Sequence, residues 1–187
     1  MKIRVNNVRL AFPNLFVATT VQGQGEGEAA FSASFIFGTD HPQLAEIRAA
    51  MDKVGQDKWG AKWPQIKKTL ESKDMFALHD GDTKAEYEGY AGNLYISSRN
   101  KTRPTVLDRD GKTPLVQADG KPYAGCYVNA AIEFWAQDNN YGKRINASLR
   151  GVQFLKDGEA FAGGGVASED EFDNLAADEI GGDPLLA

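Results

Sequence analysis

Tyr95, Tyr123, Tyr127 and Trp135 carry flat rings, and Arg99, Lys101, Arg103, Lys143, Arg144 and Arg150 carry fixed positive charge in the same third of the chain. Rings and cations sharing one exposed surface are suited to one chemistry. Unpaired nucleobases stack on the rings while the cations neutralise the phosphates beside them, at roughly 1 to 3 kcal/mol per stacked base and with little regard for base identity. The same residues admit two other readings. The rings could be ordinary packing under a helix, or the surface could dock a protein, which makes a protein-interaction module the alternative.

Other chemistry lacks its constellation. His41 and His79 lie far apart with no matched cysteine or HxxxH spacing, which argues against a zinc site built by this chain. Gly111-Lys112-Thr113 shares letters with a phosphate loop, but the upstream glycine is missing. Asp108 and Asp110 followed by Gly111 fit a β-turn, not the spacing of a calcium loop. The single cysteine, Cys126, excludes an internal disulfide. No enzyme and no cofactor are expected.

The elements that must position the rings are mainly strands. From Tyr123 to Ala136 the side chains alternate: Ala124, Cys126, Val128, Ala130, Ile132 and Phe134 form an apolar face, and Tyr123, Tyr127, Asn129, Glu133 and Trp135 form the other. Gln137 to Gly142 is turn material. With Asn139-Asn140 as a two-residue loop, Trp135 faces Arg144, Phe134 faces Ile145 and Ile132 faces Ala147, so the apolar faces coincide. A one-residue slip would bury Arg144 and Arg150.

Lys2 to Phe12 reads as a strand with a bulge at Asn6-Asn7, after which Val8, Leu10 and Phe12 resume the inward phase and Pro13 stops the run. Phe31, Ala33, Phe35 and Phe37 alternate with Ser32 and Ser34 in a second strand. Leu44, Ile47, Met51 and Val54 follow at helical spacing, and Trp59, Trp63, Ile66 and Leu70 continue it across Pro64 as helix, kink and short helix. Met75 to Gly92 has no sustained period and reads as a long loop. Asn93 to Arg99 is a strand with Tyr95, Ser97 and Arg99 facing out.

Charge is segregated. Residues 1–165 carry a net +2 and residues 166–187 a net −7, while residues 99–156 hold 10 basic against 5 acidic side chains. A mildly basic body with an acidic end points to a polyanionic partner. The first residues already alternate and no apolar run approaches the roughly 18 residues of a membrane span, so a soluble intracellular protein without a membrane partner is expected.

The run Tyr123-Ala-Gly-Cys-Tyr-Val-Asn-Ala-Ala-Ile-Glu-Phe, followed by Ile145-Asn-Ala-Ser-Leu-Arg-Gly-Val-Gln-Phe-Leu-Lys-Asp-Gly-Glu, resembles a bacteriophage family of single-stranded DNA-binding proteins. Asn7-Val-Arg-Leu-Ala-Phe-Pro-Asn-Leu-Phe and Arg103-Pro104 resemble its pattern as well, and the similarity covers most of residues 3–165. The resemblance implies an OB-fold core, sequence-tolerant binding of single strands, and a role in phage DNA replication or recombination in the cytoplasm of an infected bacterium. The expected whole is a mainly β, OB-type barrel over residues 1–165, with a helical insertion at about 41–72, and a flexible acidic tail over 166–187. The tail, ending in Pro184-Leu185-Leu186-Ala187, is similar to tails through which such proteins recruit phage or host replication proteins. A homodimer is a further option for partners.

Overall fold

The computed structural model describes residues 1–20 and 27–161, so the expected acidic tail lies outside the described residues. The elements in chain order are β1 (Lys2–Thr19), β2 (Ala30–Gly38), α1 (Leu44–Trp59), α2 (Trp63–Ser72), β3 (Leu78–Asp80), β4 (Asn93–Asn100), β5 (Thr105–Leu107), β6 (Tyr127–Asn139) and β7 (Gly142–Lys156). Neighbouring strands run β3-β4-β2-β1-β6-β7-β5, and a further pairing of β4 with β7 closes β1, β2, β4, β7 and β6 into a five-stranded barrel. The closing pair is parallel, at Arg99 and Ser148. β3 and β5 extend the sheet beyond the closed ring.

The inward sides match the alternation. Val5, Val8, Leu10, Phe35, Ile96, Cys126, Val128, Ala130, Ile132, Phe134, Ile145 and Leu149 are all buried in one core. The helices cover one side of it. Ile47 and Met51 of α1 and Trp63 and Leu70 of α2 join the core, and Pro64 sits in the first turn of α2, where its missing N–H costs nothing. Gly55 lets the two helices close on each other, because a Cβ there would stand 2.5 Å from the Trp63 ring. At the entry to α1 the His41 Nε2 donates to the Asn6 carbonyl at 2.8 Å, while its Nδ1 accepts from the Gln43 N–H.

Several boundaries differ from the sequence reading. The bulge at Asn6-Asn7 is present, with Asn7 at φ 52° and a shift between Val5 and Val8 in the pairing with β6. Pro13 does not end β1, however. A second bulge between Ala11 and Asn14 inserts one extra residue against β2, Pro13 falls where the ladder asks for no donor, and the strand runs on to Thr19. That bulge reverses the expected direction of Phe12, which turns out of the barrel at φ 46° and is 50% exposed. A bulky residue in the left-handed region costs roughly 1 to 2 kcal/mol.

The hairpin register is also corrected. Asn139 pairs with Gly142, so Asn140 and Tyr141 form the loop, and Trp135 faces Asn146 where Arg144 was expected. From the turn to the Ile132–Leu149 pair the offset is two residues, an even number, so these side chains keep their expected faces, and a bulge between Ala131 and Ile132 then sets Ala130 against Val152. Gly142 at φ 106° supplies the backbone conformation that two adjacent asparagines were expected to supply. β6 starts at Tyr127, because Tyr123 to Cys126 turns against β1 through Gly125 N–H to Leu10 carbonyl and Leu10 N–H to Cys126 carbonyl bonds. The stretch Met75 to Gly92, expected as loop, contributes β3 to the edge of β4. β5, also unforeseen, pairs in parallel with β7.

Candidate nucleic-acid interface

A groove of about 780 Å³ lies across the outside of the barrel, touching Phe12 and Asn14 of β1, Ser32 and Ser34 of β2, Ser97 and Arg99 of β4, Asn146 and Ser148 of β7, and Trp135 of β6. It crosses the barrel strands in their spatial order, so it spans four interstrand steps of about 4.8 Å each along the sheet. Outward period-2 positions make its floor, and they are hydroxyls and amides rather than charges. Asn14 Nδ2 donates to Ser32 Oγ at 3.1 Å and Asn146 Nδ2 to Gln137 Oε1 at 2.8 Å, which hold the floor in place.

Arg99, Lys101, Arg144 and Trp135, of the residues expected at the site, line this groove. Trp135 is 44% exposed, a large apolar ring left to water beside three cations. Arg144 is steered by the Met75 sulfur, 3.1 Å from its Nη1. Arg99 Nη2 donates to the Glu28 carbonyl at 2.7 Å, and Lys101 pairs with the Glu28 carboxylate. The hydrogen bond and charge of Lys101 hold that carboxyl below its ordinary range. The positive end of the groove is therefore occupied by an acidic residue of the same chain.

The hairpin bearing Trp135 is braced from the helical insertion. Trp59 Nε1 donates to Asp138 Oδ2 at 2.9 Å, and Lys143 Nζ lies 3.0 Å from Asp138 Oδ1. These two contacts lower the Asp138 pKa, the bond from Trp59 contributing most. Trp59 in turn stacks on Trp63 with centroids 5.6 Å apart and planes 11° from parallel. The tryptophans of the insertion thus fix the strand pair, and Lys143 points at Asp138.

The remaining expected residues lie away from the groove. Tyr95 was expected on a wet face and is 3% exposed. It joins a second small core with Ala11 of β1, Ile36 of β2 and Tyr90, which comes from the chain between β3 and β4. His79 stacks on the Tyr95 ring at 4.9 Å, and burial raises its hydroxyl pKa. Tyr123 is partly buried, its hydroxyl donating to Asp157 Oδ1 at 2.7 Å, which raises its pKa. The Tyr127 ring is approached by Lys156 at 4.9 Å and Arg9 at 5.8 Å, so cations of the protein already occupy its surroundings. Arg103 stands over Phe16, and Arg150 lies 3.9 Å from Glu133. Cys126 is fully buried, and desolvation pushes its thiol up to about 11.

Phe12, Asn14, Ser32, Ser34, Phe76, His79, Ser97, Asn146 and Ser148 also line the groove and were not among the residues expected to bind. The paired serines carried a usable signal, since Ser34 lies opposite Ser97 once β2 and β4 are set in register. Phe12 carried none, because its direction depends on a bulge. Among the described residues no three His, Cys, Asp or Glu side chains converge in a way that could hold a metal ion. Among the same residues, no helix is long and apolar enough to cross a membrane.

A small barrel closed by a parallel pair, with a groove of hydroxyls, cations and an exposed tryptophan across its five strands, is an OB-type nucleic-acid-binding protein. Its function is binding, not catalysis. The chain belongs to the family described as Enterobacter phage Enc34, ssDNA-binding protein, whose family model matches residues 1–181. It is 53% identical over 184 residues to "Putative protein p50" of Acyrthosiphon pisum secondary endosymbiont phage 1, covering 96% of each chain. Among solved structures it is similar to the single-stranded DNA-binding protein from bacteriophage Enc34 in complex with ssDNA, at a TM-score of 0.70 and 28% identity over 85% of this chain and 88% of that one. The fold is shared with gp2.5, a single-stranded DNA-binding protein of bacteriophage T7, at a TM-score of 0.56 and 10% identity over 90% of this chain and 98% of that one.

Proposed function

We propose that this protein holds single-stranded DNA, without regard to sequence, in the groove that crosses its barrel. Trp135 stacks on a base, Arg99, Lys101 and Arg144 neutralise phosphates, and the serines and Asn146 offer hydrogen bonds that no particular base edge requires. Tyr95, sealed under Tyr90, and Tyr123, engaged with Asp157, act in folding instead. Tyr127 lies outside the groove, as do Arg103, Lys143 and Arg150, and these three cations add at most to the long-range field that steers the strand. The observation that carries the reading is the exposed Trp135 ring in one groove with three cations. The ssDNA complex of the bacteriophage Enc34 relative supports it.

The setting that follows is phage DNA replication or recombination in the cytoplasm of an infected bacterium. The acidic segment 166–187 is where phage or host replication proteins would bind. A homodimer would be compatible with the groove, which is complete within one chain.

Titration of labelled oligo-dT against duplex of equal length, at two salt concentrations, tests the reading through tryptophan quenching. Tight binding to oligo-dT that weakens as salt rises is expected, with a log-log slope near −0.7 for each phosphate neutralised. Absence of quenching by oligo-dT at low salt would transfer the aromatic surface to a protein partner.

A further inference from the structure

The groove has two ends, and the one opposite Trp135 carries rings to which no role has been given. Phe12 lines that end from β1, half exposed, and meets Tyr87 edge-on with centroids 5.1 Å apart and planes at 88°. Tyr87 is itself 44% exposed. Tyr90, fully buried, lies 6.1 Å from both rings and holds the pair from below. Phe12 reaches this place through a left-handed backbone at φ 46°.

Folding alone accounts poorly for that arrangement. Strand alternation would send Phe12 into the barrel beside Leu10, where its ring would leave water. The extra residue of the bulge turns it outward instead, with backbone strain in place of burial. Strained backbone bearing an exposed side chain at the edge of a groove marks a position held for binding.

We propose that Phe12, braced by Tyr87, is a base-stacking subsite that takes one nucleobase of the single strand at the β1 end of the groove. This rests on the single-stranded DNA reading above and extends it, giving the strand a ring at each end of its path with hydroxyls and cations between. A phenyl ring offers no hydrogen bond to a base edge, so the subsite accepts any base.

The test compares oligo-dT with an abasic strand of the same length and charge, using the full chain and its Phe12→Leu, Phe12→Gly and Tyr87→Leu variants. Phe12→Leu should weaken binding to oligo-dT by about 5- to 150-fold while leaving affinity for the abasic strand unchanged. Tyr87→Leu should give a smaller loss of the same kind. Phe12→Gly adopts the left-handed backbone without penalty, so it keeps the fold and isolates the missing ring even if Phe12→Leu unfolds. Unchanged oligo-dT affinity in the glycine variant, or an equal loss on both strands, overturns the subsite. If the unmodified protein binds neither strand, the groove reading fails first. If it binds oligo-dT and only the Phe12 result is flat, the subsite alone is withdrawn, and the exposed pair becomes a protein-docking surface.

Discussion

Tyr95 and Arg99 stand on the same outward face of β4, four residues and about 13 Å apart, yet one is sealed and the other lies open in the groove. Tyr95 meets Tyr90 edge-on at 5.0 Å and His79 in a stack at 4.9 Å. Arg99 meets water and one loop carbonyl. Nothing local separates them, since both sit at correct period-2 positions. The difference comes from the chain between β3 and β4, which folds back over one half of the outer surface and stops short of the other. A strand's alternation assigns a residue to a face. What covers that face is decided elsewhere in the chain.

Removing the sealed ring gives the largest expected effect. Tyr95→Ala should cost about 3 to 5 kcal/mol of folding stability, the range for deleting a buried aromatic ring, read by denaturant unfolding. The molecules that remain folded should bind oligo-dT as the unmodified protein does. A large loss of affinity with intact stability would mean that the covering segment opens to admit DNA, and the contrast between the two halves of β4 would collapse.

The converse substitution lies at the open end. Trp135→Ala should remove roughly 1 to 3 kcal/mol of binding to single strands. As a surface change it should shift stability by no more than about 0.5 kcal/mol. If unfolding rather than binding changes, Trp135 is packing and the groove has lost its ring.

The contrast also explains what could be read from the chain beforehand. The faces of β6 and β7 were legible because an even error in register leaves every side chain on its side, so Phe134 and Trp135 were placed correctly although their partners were not. The helical insertion was legible from the spacing of Ile47, Met51, Trp63 and Leu70, and from Pro64 marking a fresh first turn. Tyr95 was misplaced because its cover, Tyr90, comes from a segment with no period of its own. Phe12 was misplaced because a single inserted residue reverses direction, and the sequence Phe-Pro reads equally as a stop or as a bulge. The groove floor was hidden for a third reason. Ser32, Ser34, Ser97, Asn146 and Ser148 are unremarkable singly, and only the barrel's closure through Arg99 and Ser148 brings them together.

Charge at the open end can be probed without touching a ring. Arg99→Ala and Arg144→Ala should each reduce the slope of log affinity against log salt by about 0.7, the amount expected when one phosphate contact to a single strand is lost. Arg150→Ala, which removes a cation paired near Glu133 outside the groove, should leave the slope within error. Equal slopes for all three variants would place the path of the strand elsewhere on the barrel.

The smallest expected effect concerns how open that end is. Glu28 lays its carboxylate on Lys101 and its carbonyl on Arg99, so a negative group already sits where a phosphate would sit. A strand that enters must displace it, exchanging one anion for another on the same cations. Glu28→Gln removes the competing charge but keeps the shape. At low salt it should tighten binding to oligo-dT by about two- to fivefold, the scale of an exposed ion pair. The gain should fade as salt rises, because screening weakens the pair in the unmodified protein as well. Weaker binding by Glu28→Gln would give the opposite lesson: the carboxylate would then be holding Arg99 and Lys101 in place for the phosphates. Tighter binding would separate the two ends of β4 by mechanism, since Tyr95 is shut by packing that DNA cannot replace, whereas Lys101, just beyond Arg99, is covered by a charge that a phosphate replaces in kind.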